Sequence, residues 1–186
     1  MVSQIKVNEI IKQSGSTITI GESGDTVTIP SGATLNSVGT TTLASGQNMT
    51  PAFAAEDSGD QSIPNGTNTK LTFDTEYYDS DGTWDTSNSR WTPGIAGKNC
   101  INATVYMQLG TDGKYVALFL YKNGSNVETI ARQHTGVNDD VQVNGNISFV
   151  ATATDYYEIY VHQNSGGSKD TSATQTRVNG FKVMGA

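Results

Sequence analysis

The feature that most restricts this chain is a strict two-residue alternation of apolar and polar side chains, held in short runs that each end at a Gly-containing turn. Successive side chains of a β-strand point to opposite faces, so such runs read as half-buried strands. A degenerate repeat over 16–46, "STITIGESG", "DTVTIPSGA" and "TLNSVGTTTLASG", sets Ile18, Ile20, Val27 and Ile29 on one side and Thr17, Thr19, Thr26 and Thr28 on the other. From Pro51 onward the candidate strands lie at 52–55, 70–74, 99–109, 115–122, 127–133, 141–153, 156–163 and 177–184. Turn dipeptides separate them, with Asp112-Gly113 and Asn123-Gly124 the clearest two-residue hairpin signals. No convincing helix interrupts the series, and only 16% of residues are charged, whereas exposed helix faces need many Lys and Glu. The expected fold is all-β: an antiparallel β-sandwich (jelly roll) over 51–186, preceded by a short β-rich trimeric stem over 16–50 and an N-terminal segment of 1–15.

The stem follows from a shortage of core. Each of its strands offers two or three apolar side chains, and an isolated two-stranded ribbon is marginal in water. Association about a threefold axis, which buries the Ile18, Ile20, Val27 and Ile29 rows of three copies against one another, is the economical answer, and a homotrimer is expected.

Charge and composition exclude several classes. A net charge of −7 argues against nucleic acid, whose affinity comes mainly from Lys and Arg. The single cysteine, Cys100, makes no intrachain disulfide and reads as a small core residue. The opening "MVSQIKVNEIIKQSG" lacks the apolar stretch of a secretion signal, and no run of about 18 apolar residues suggests membrane insertion. N-x-[ST] triplets at Asn48, Asn65, Asn102, Asn123 and Asn146 are what a chain rich in Asn, Ser and Thr produces by chance.

Catalysis is not expected. His134 and His162 fall on separate strands with no motif linking them, and neither a G-x-S-x-G elbow nor a P-loop lysine is present. A polysaccharide hydrolase or lyase, a remote alternative, needs paired carboxylates in a groove, and adjacent acidic residues occur only in loops. No cofactor is expected apart from a candidate Ca²⁺ site in "DSDGTWD", where Asp79, Asp81 and Asp85 stand close in sequence; a turn initiated at Asp81-Gly82 explains the same residues. Aromatic side chains cluster nearby, and flat rings bordered by Asn, Asp and Ser suit a saccharide or protein receptor. Trp84 is the candidate anchor, with Tyr78, Asp81 and Asp85 as further contacts; within Tyr77-Tyr78 and Tyr156-Tyr157, alternation is expected to send one ring inward and one outward.

The stretch "YYDSDGTWDTSNSRWTPGIAGKNCINATVYMQL" resembles the complement globular-head and tumour-necrosis-factor jelly-roll superfamily, with Asp85, Trp91, Pro93, Gly97 and the strand over 101–109 in the corresponding places. "YVALFLYKNGSNVE", "NISFVATATDYYEIYVHQNSG" and "TRVNGFKVMGA" are similar to the family's central hairpin, its aromatic-rich strand and its last strand near the trimer axis. Asn99 stands where the family usually has an aromatic. The N-terminal "IKVNEIIKQSGSTITIGESGDTVTIPSGATL" resembles leader segments of phage tail-fibre and virion-surface proteins. Together the resemblances imply a non-enzymatic phage virion structural protein at the virion surface. It would be a homotrimeric short fibre docked on other virion proteins through 1–15, its head attaching to host surface glycan or protein. The alternative is a capsid decoration or cement protein.

Overall fold

In the computed structural model, which describes residues 10–11, 14–15, 17–39, 49–110, 112–136 and 139–183, the chain divides into two units, 1–42 and 43–186. The second unit is built from β1 (Ala52–Glu56), β2 (Ser62–Ile63), β3 (Thr69–Lys70), β4 (Thr75–Asp79), β5 (Trp84–Asp85), β6 (Arg90–Trp91), β7 (Gly97–Gln108), β8 (Tyr115–Lys122), β9 (Ser125–His134), β10 (Asp140–Ala151), β11 (Tyr157–Gln163), β12 (Lys169–Asp170) and β13 (Arg177–Lys182). One sheet has the order β10-β7-β13-β1-β4; the other runs β5-β6-β11-β8-β9, with β3 also on β11; β12 and β2 form a separate ribbon. All these pairings are antiparallel. Among the described residues no helix is long and apolar enough to cross a membrane.

The alternation explains the layers. Along β7, Ile101, Ala103, Val105 and Met107 point between the sheets, and Val116, Leu118 and Leu120 of β8 meet them with Ile159 and Val161 of β11. Each Val, Leu, Ile or Met among them that is removed from water contributes about 1.5–3 kcal/mol. Aromatic rings fill one end: Phe53 stacks on Trp84 at 4.5 Å and meets Trp91 at 5.0 Å, and Trp91 meets Phe149 edge-on at 6.2 Å. Gly180 sits beneath them for want of space, because a Cβ there would lie 2.7 Å from Phe53 and 3.0 Å from Trp91. Asn99, where the resemblance leads one to expect an aromatic, is fully buried; its amide donates to the Gly97 carbonyl at 3.0 Å while its own oxygen finds no partner among the described residues.

Two expectations are corrected. The run 70–74 is extended but ladders only at Lys70; beyond it Leu71 N–H donates to the Ile159 carbonyl and Phe73 N–H to Ser89 Oγ, both at 2.9 Å, while the neighbouring strand forms at Thr75–Asp79. Side-chain burial of Leu71 and Phe73 produced the apolar signal, not a ladder. Asp112-Gly113 is not a hairpin turn, because the strands on either side, β7 and β8, belong to different sheets. Asn123-Gly124 does close the β8–β9 hairpin, with φ of 51° and 78°.

The first unit contrasts with this. Residues 17–39 hold turns, with Asp25 N–H donating to the Glu22 carbonyl and Ala33 N–H to the Pro30 carbonyl at 3.0 Å, but no strand. Ile18, Ile20, Val27 and Ile29 are 45–67% exposed. The strands expected there do not form in the single chain, since a ladder needs a second strand and an apolar row needs a cover. Residues 1–9, 12–13, 16 and 40–48, which include much of the expected N-terminal segment and the end of the stem, lie outside the described residues.

Candidate interaction surfaces

The loop expected to carry a receptor contact is tied down from within. The Asp79 carboxylate accepts the Trp84 N–H at 2.7 Å, and the Asp81 N–H and the Thr83 hydroxyl at 3.2 Å each. Thr83 Oγ1 in turn accepts the Trp91 indole N–H at 3.1 Å. Gly82, at φ 65°, lets the chain reverse. Trp84 then pairs directly opposite Trp91 on the core side of the β5–β6 ladder, so its ring is 7% exposed and cannot serve as an outward anchor. Its indole N–H finds no partner among the described residues.

The candidate calcium ligands serve as turn acceptors instead. Asp79 is engaged as above; Asp81 accepts from the Ser80 hydroxyl at 2.6 Å. Asp85 accepts the Asn88 N–H at 3.0 Å and its side-chain amide at 2.7 Å, and pairs with Arg90 at 3.2 Å. Asn88 foremost, with Arg90 adding to it, holds the Asp85 carboxyl below the usual carboxylate range. No three His, Cys, Asp or Glu side chains converge to hold a metal ion among the described residues, so the sequence cluster does not become a spatial one.

Tyr78 sits differently from expectation. In the β1–β4 pairing Ala54 faces Tyr78 and Ala55 faces Glu76, so Tyr77 is an extra residue, a β-bulge that breaks the alternation. Tyr77 and Tyr78 are therefore both exposed, whereas the unbulged Tyr156-Tyr157 pair does split, with Tyr157 buried. The Tyr77 hydroxyl donates to Glu56, and Arg177 lies over the Tyr77 ring at 5.7 Å.

Tyr78 borders the outward face of the β10-β7-β13-β1-β4 sheet. Rows cross it from strand to strand: Asn146, Asn102, Asn179, Ala54 and Tyr78 in one, Ser148, Cys100, Phe181 and Ala52 in the next. Cys100 thus lies half-buried on this face and not in the core, as β7 alternation from Ile101 requires. Asn102 donates to Asn179 at 2.8 Å and Thr104 to Asn144 at 2.7 Å. Asn146, Ser148 and Tyr78 are exposed on this face, and Cys100, Asn102, Asn179 and Phe181 are half-buried.

Sequence reading missed a second surface. The phase that sends Val116, Leu118 and Leu120 inward sends Tyr115, Phe119 and Tyr121 outward, beside Tyr160 and His162 of β11. Tyr121 stacks on Tyr160 at 3.7 Å, Tyr115 stacks on His162 at 5.4 Å, and the Arg132 guanidinium lies 4.4 Å over Tyr115. The "YVALFLYK" run carried the signal, since both phases of its alternation are bulky.

With this geometry in hand, solved structures supply the comparison. The chain is similar to Eiger, a tumour necrosis factor of S. frugiperda, at a TM-score of 0.52 and 12% identity over 75% of this chain and 96% of that one. The globular domain of zebrafish complement 1qA matches at 0.52 and 13%, over 72% and 96% of the two chains. Murine APRIL at pH 5.0 matches at 0.55 and 10%, over 71% and 98%. The protein therefore carries a jelly-roll β-sandwich of the tumour-necrosis-factor and complement 1q type. No family model matches the sequence, nor does any curated protein.

Proposed function

We propose that this chain is a non-enzymatic bacteriophage virion-surface protein, a homotrimeric short fibre whose jelly-roll head attaches to the host surface. The observation that carries self-association is the alternating set Ile18, Ile20, Val27 and Ile29, open to solvent in the single chain. Three copies supply the missing ladders and cover, and the outward rows around Cys100, Asn102 and Asn179, with Tyr78 at their border, supply the head contact. Docking of 1–15 on other virion proteins and the phage setting itself rest on the leader resemblance. Trp84 supports its loop from below, which leaves Asp81 and Asp85 as its surface groups.

Light scattering coupled to size exclusion is the decisive measurement: the purified full chain is expected at three times the 19.7 kDa chain mass. A well-folded monomer at micromolar concentration removes the proposal. Antibody labelling of phage particles separates a tail position from the decoration alternative.

A further inference from the structure

A polar groove opens where β7 and β10 outrun β13, whose first pair with β7 is Arg177 opposite Thr104. Its cavity of about 520 Å³ falls in the size range of small-ligand sites. Tyr106 and Gln108 of β7 line it on one side; Lys169 and Asp170 of β12, with Asp60 and Gln175, complete it.

The walls are rigidly set. Gln61 N–H donates to Thr171 Oγ1 and Thr171 N–H to the Gln61 carbonyl, both at 2.9 Å, and Ser172 N–H reaches the Tyr106 carbonyl at 3.0 Å. The Tyr106 hydroxyl donates to Asp140, which fixes the ring. Asp60 spends one oxygen on the Ala173 N–H at 2.8 Å, and its other oxygen accepts no hydrogen bond among the described residues. By contrast, the side chains of Lys169, Asp170 and Gln175 make no hydrogen bond or ion pair with any described residue. Carboxylate acceptors, an ammonium donor and an amide that does both are thus left unused around one groove, beside a fixed aromatic ring.

That inventory selects a ligand class. Asp60 and Asp170 against Lys169 leave the lining net acidic, in a chain of net charge −7, which disfavours phosphates, sulfates and acidic sugars. The polar lining disfavours lipid. A polyhydroxylated neutral molecule both donates to carboxylates and accepts from ammonium and amide, and its ring can lie against tyrosine. We infer that this groove binds a neutral saccharide of the host surface, so that it, and not the Trp84 loop, is the head's receptor site. The inference rests on the attachment reading above for its biological setting.

The test uses the full chain and immobilised glucose-, galactose- and N-acetylglucosamine-terminated oligosaccharides beside sialylated and uronate-containing ones. Binding to at least one neutral glycan, at least tenfold weaker binding to acidic ones, and at least a tenfold loss in Asp170→Ala and in Gln175→Ala are expected. Neither side chain makes a hydrogen bond or ion pair among the described residues, so melting temperature should hold; Asp81→Ala, on the other loop, should bind as the parent does. No neutral glycan bound, or full binding by both groove variants, overturns the inference. Cell adsorption measured in parallel separates the two readings: adsorption without glycan binding sinks only the groove, whereas glycan binding without adsorption supports the groove and sinks attachment.

Discussion

The same two-residue alternation meets opposite fates in the two units. In β7, Ile101, Ala103, Val105 and Met107 are essentially inaccessible to water; in 17–29, Ile18, Ile20, Val27 and Ile29 stay about half exposed. The difference lies not in the pattern but in what the rest of the chain supplies: β8 and β11 lay a second sheet over β7, and nothing described within the first unit does so for the Ile and Val row. Alternation specifies a face; a partner has to come from elsewhere.

Aspartate placed at equivalent positions in the two regions tests that lesson most strongly. Val105→Asp puts an unpaired charge between the sheets and should cost about 4 kcal/mol or more, leaving the head without cooperative unfolding by circular dichroism. Ile20→Asp should leave the melting of the head unchanged while lowering the assembly mass, and Thr19→Asp should do neither. Equal tolerance of Ile20→Asp and Thr19→Asp in the mass measurement would show that the first unit is a linker.

A smaller effect is expected at Gly180, where the sheet is close-packed by subtraction. Gly180→Ala drives a methyl into Phe53 and Trp91, and overpacking of this kind costs about 1–3 kcal/mol. A fall in melting temperature of about 3–10 °C should follow, with the assembly mass intact. An unchanged melting temperature would mean that the aromatic end relaxes freely.

The smallest effect concerns a tie outside the core. Asp155 accepts from Lys122 and the Thr152 N–H at 2.8 Å and from the Asn123 side chain at 2.9 Å, joining the β8–β9 turn to the segment before β11. Lys122 foremost, then these amides, depress its carboxyl far below the ordinary value of 3.8. A depressed native pKa contributes stability that is present above the unfolded value, about 3.9, and is lost as pH falls further towards the native one. Asp155→Asn should therefore lower the melting temperature modestly at neutral pH and bring parent and variant together as pH drops below about 4. Parallel curves down to pH 2 would count against the tie.

Most of the sandwich was legible in the sequence because its strands are long and alternate cleanly: the run 115–122 coincides with β8, and β7, β9, β10 and β11 lie within a few residues of expectation. What escaped was set by contacts distant in sequence. Nothing local tells Asp112-Gly113 that the chain is changing sheets, and nothing in "YYDSDGTWD" announces that a bulge turns both tyrosines out while a two-residue ladder turns Trp84 in. The groove was equally hidden, since Asp60, Tyr106, Lys169 and Gln175 are brought together only by the return of the chain from β12 towards β13.

The bulge at Tyr77 also bears on what can be added at the β4 edge of its sheet. A sheet that ends in a straight, unpaired strand is a template for open-ended addition of further chains. Here β4 ends the β10-β7-β13-β1-β4 sheet with a kink, and Glu76 stands beside it. An incoming strand would find the hydrogen-bonding partners of β4 out of step, so the bulge disfavours strand addition at this edge of the sheet.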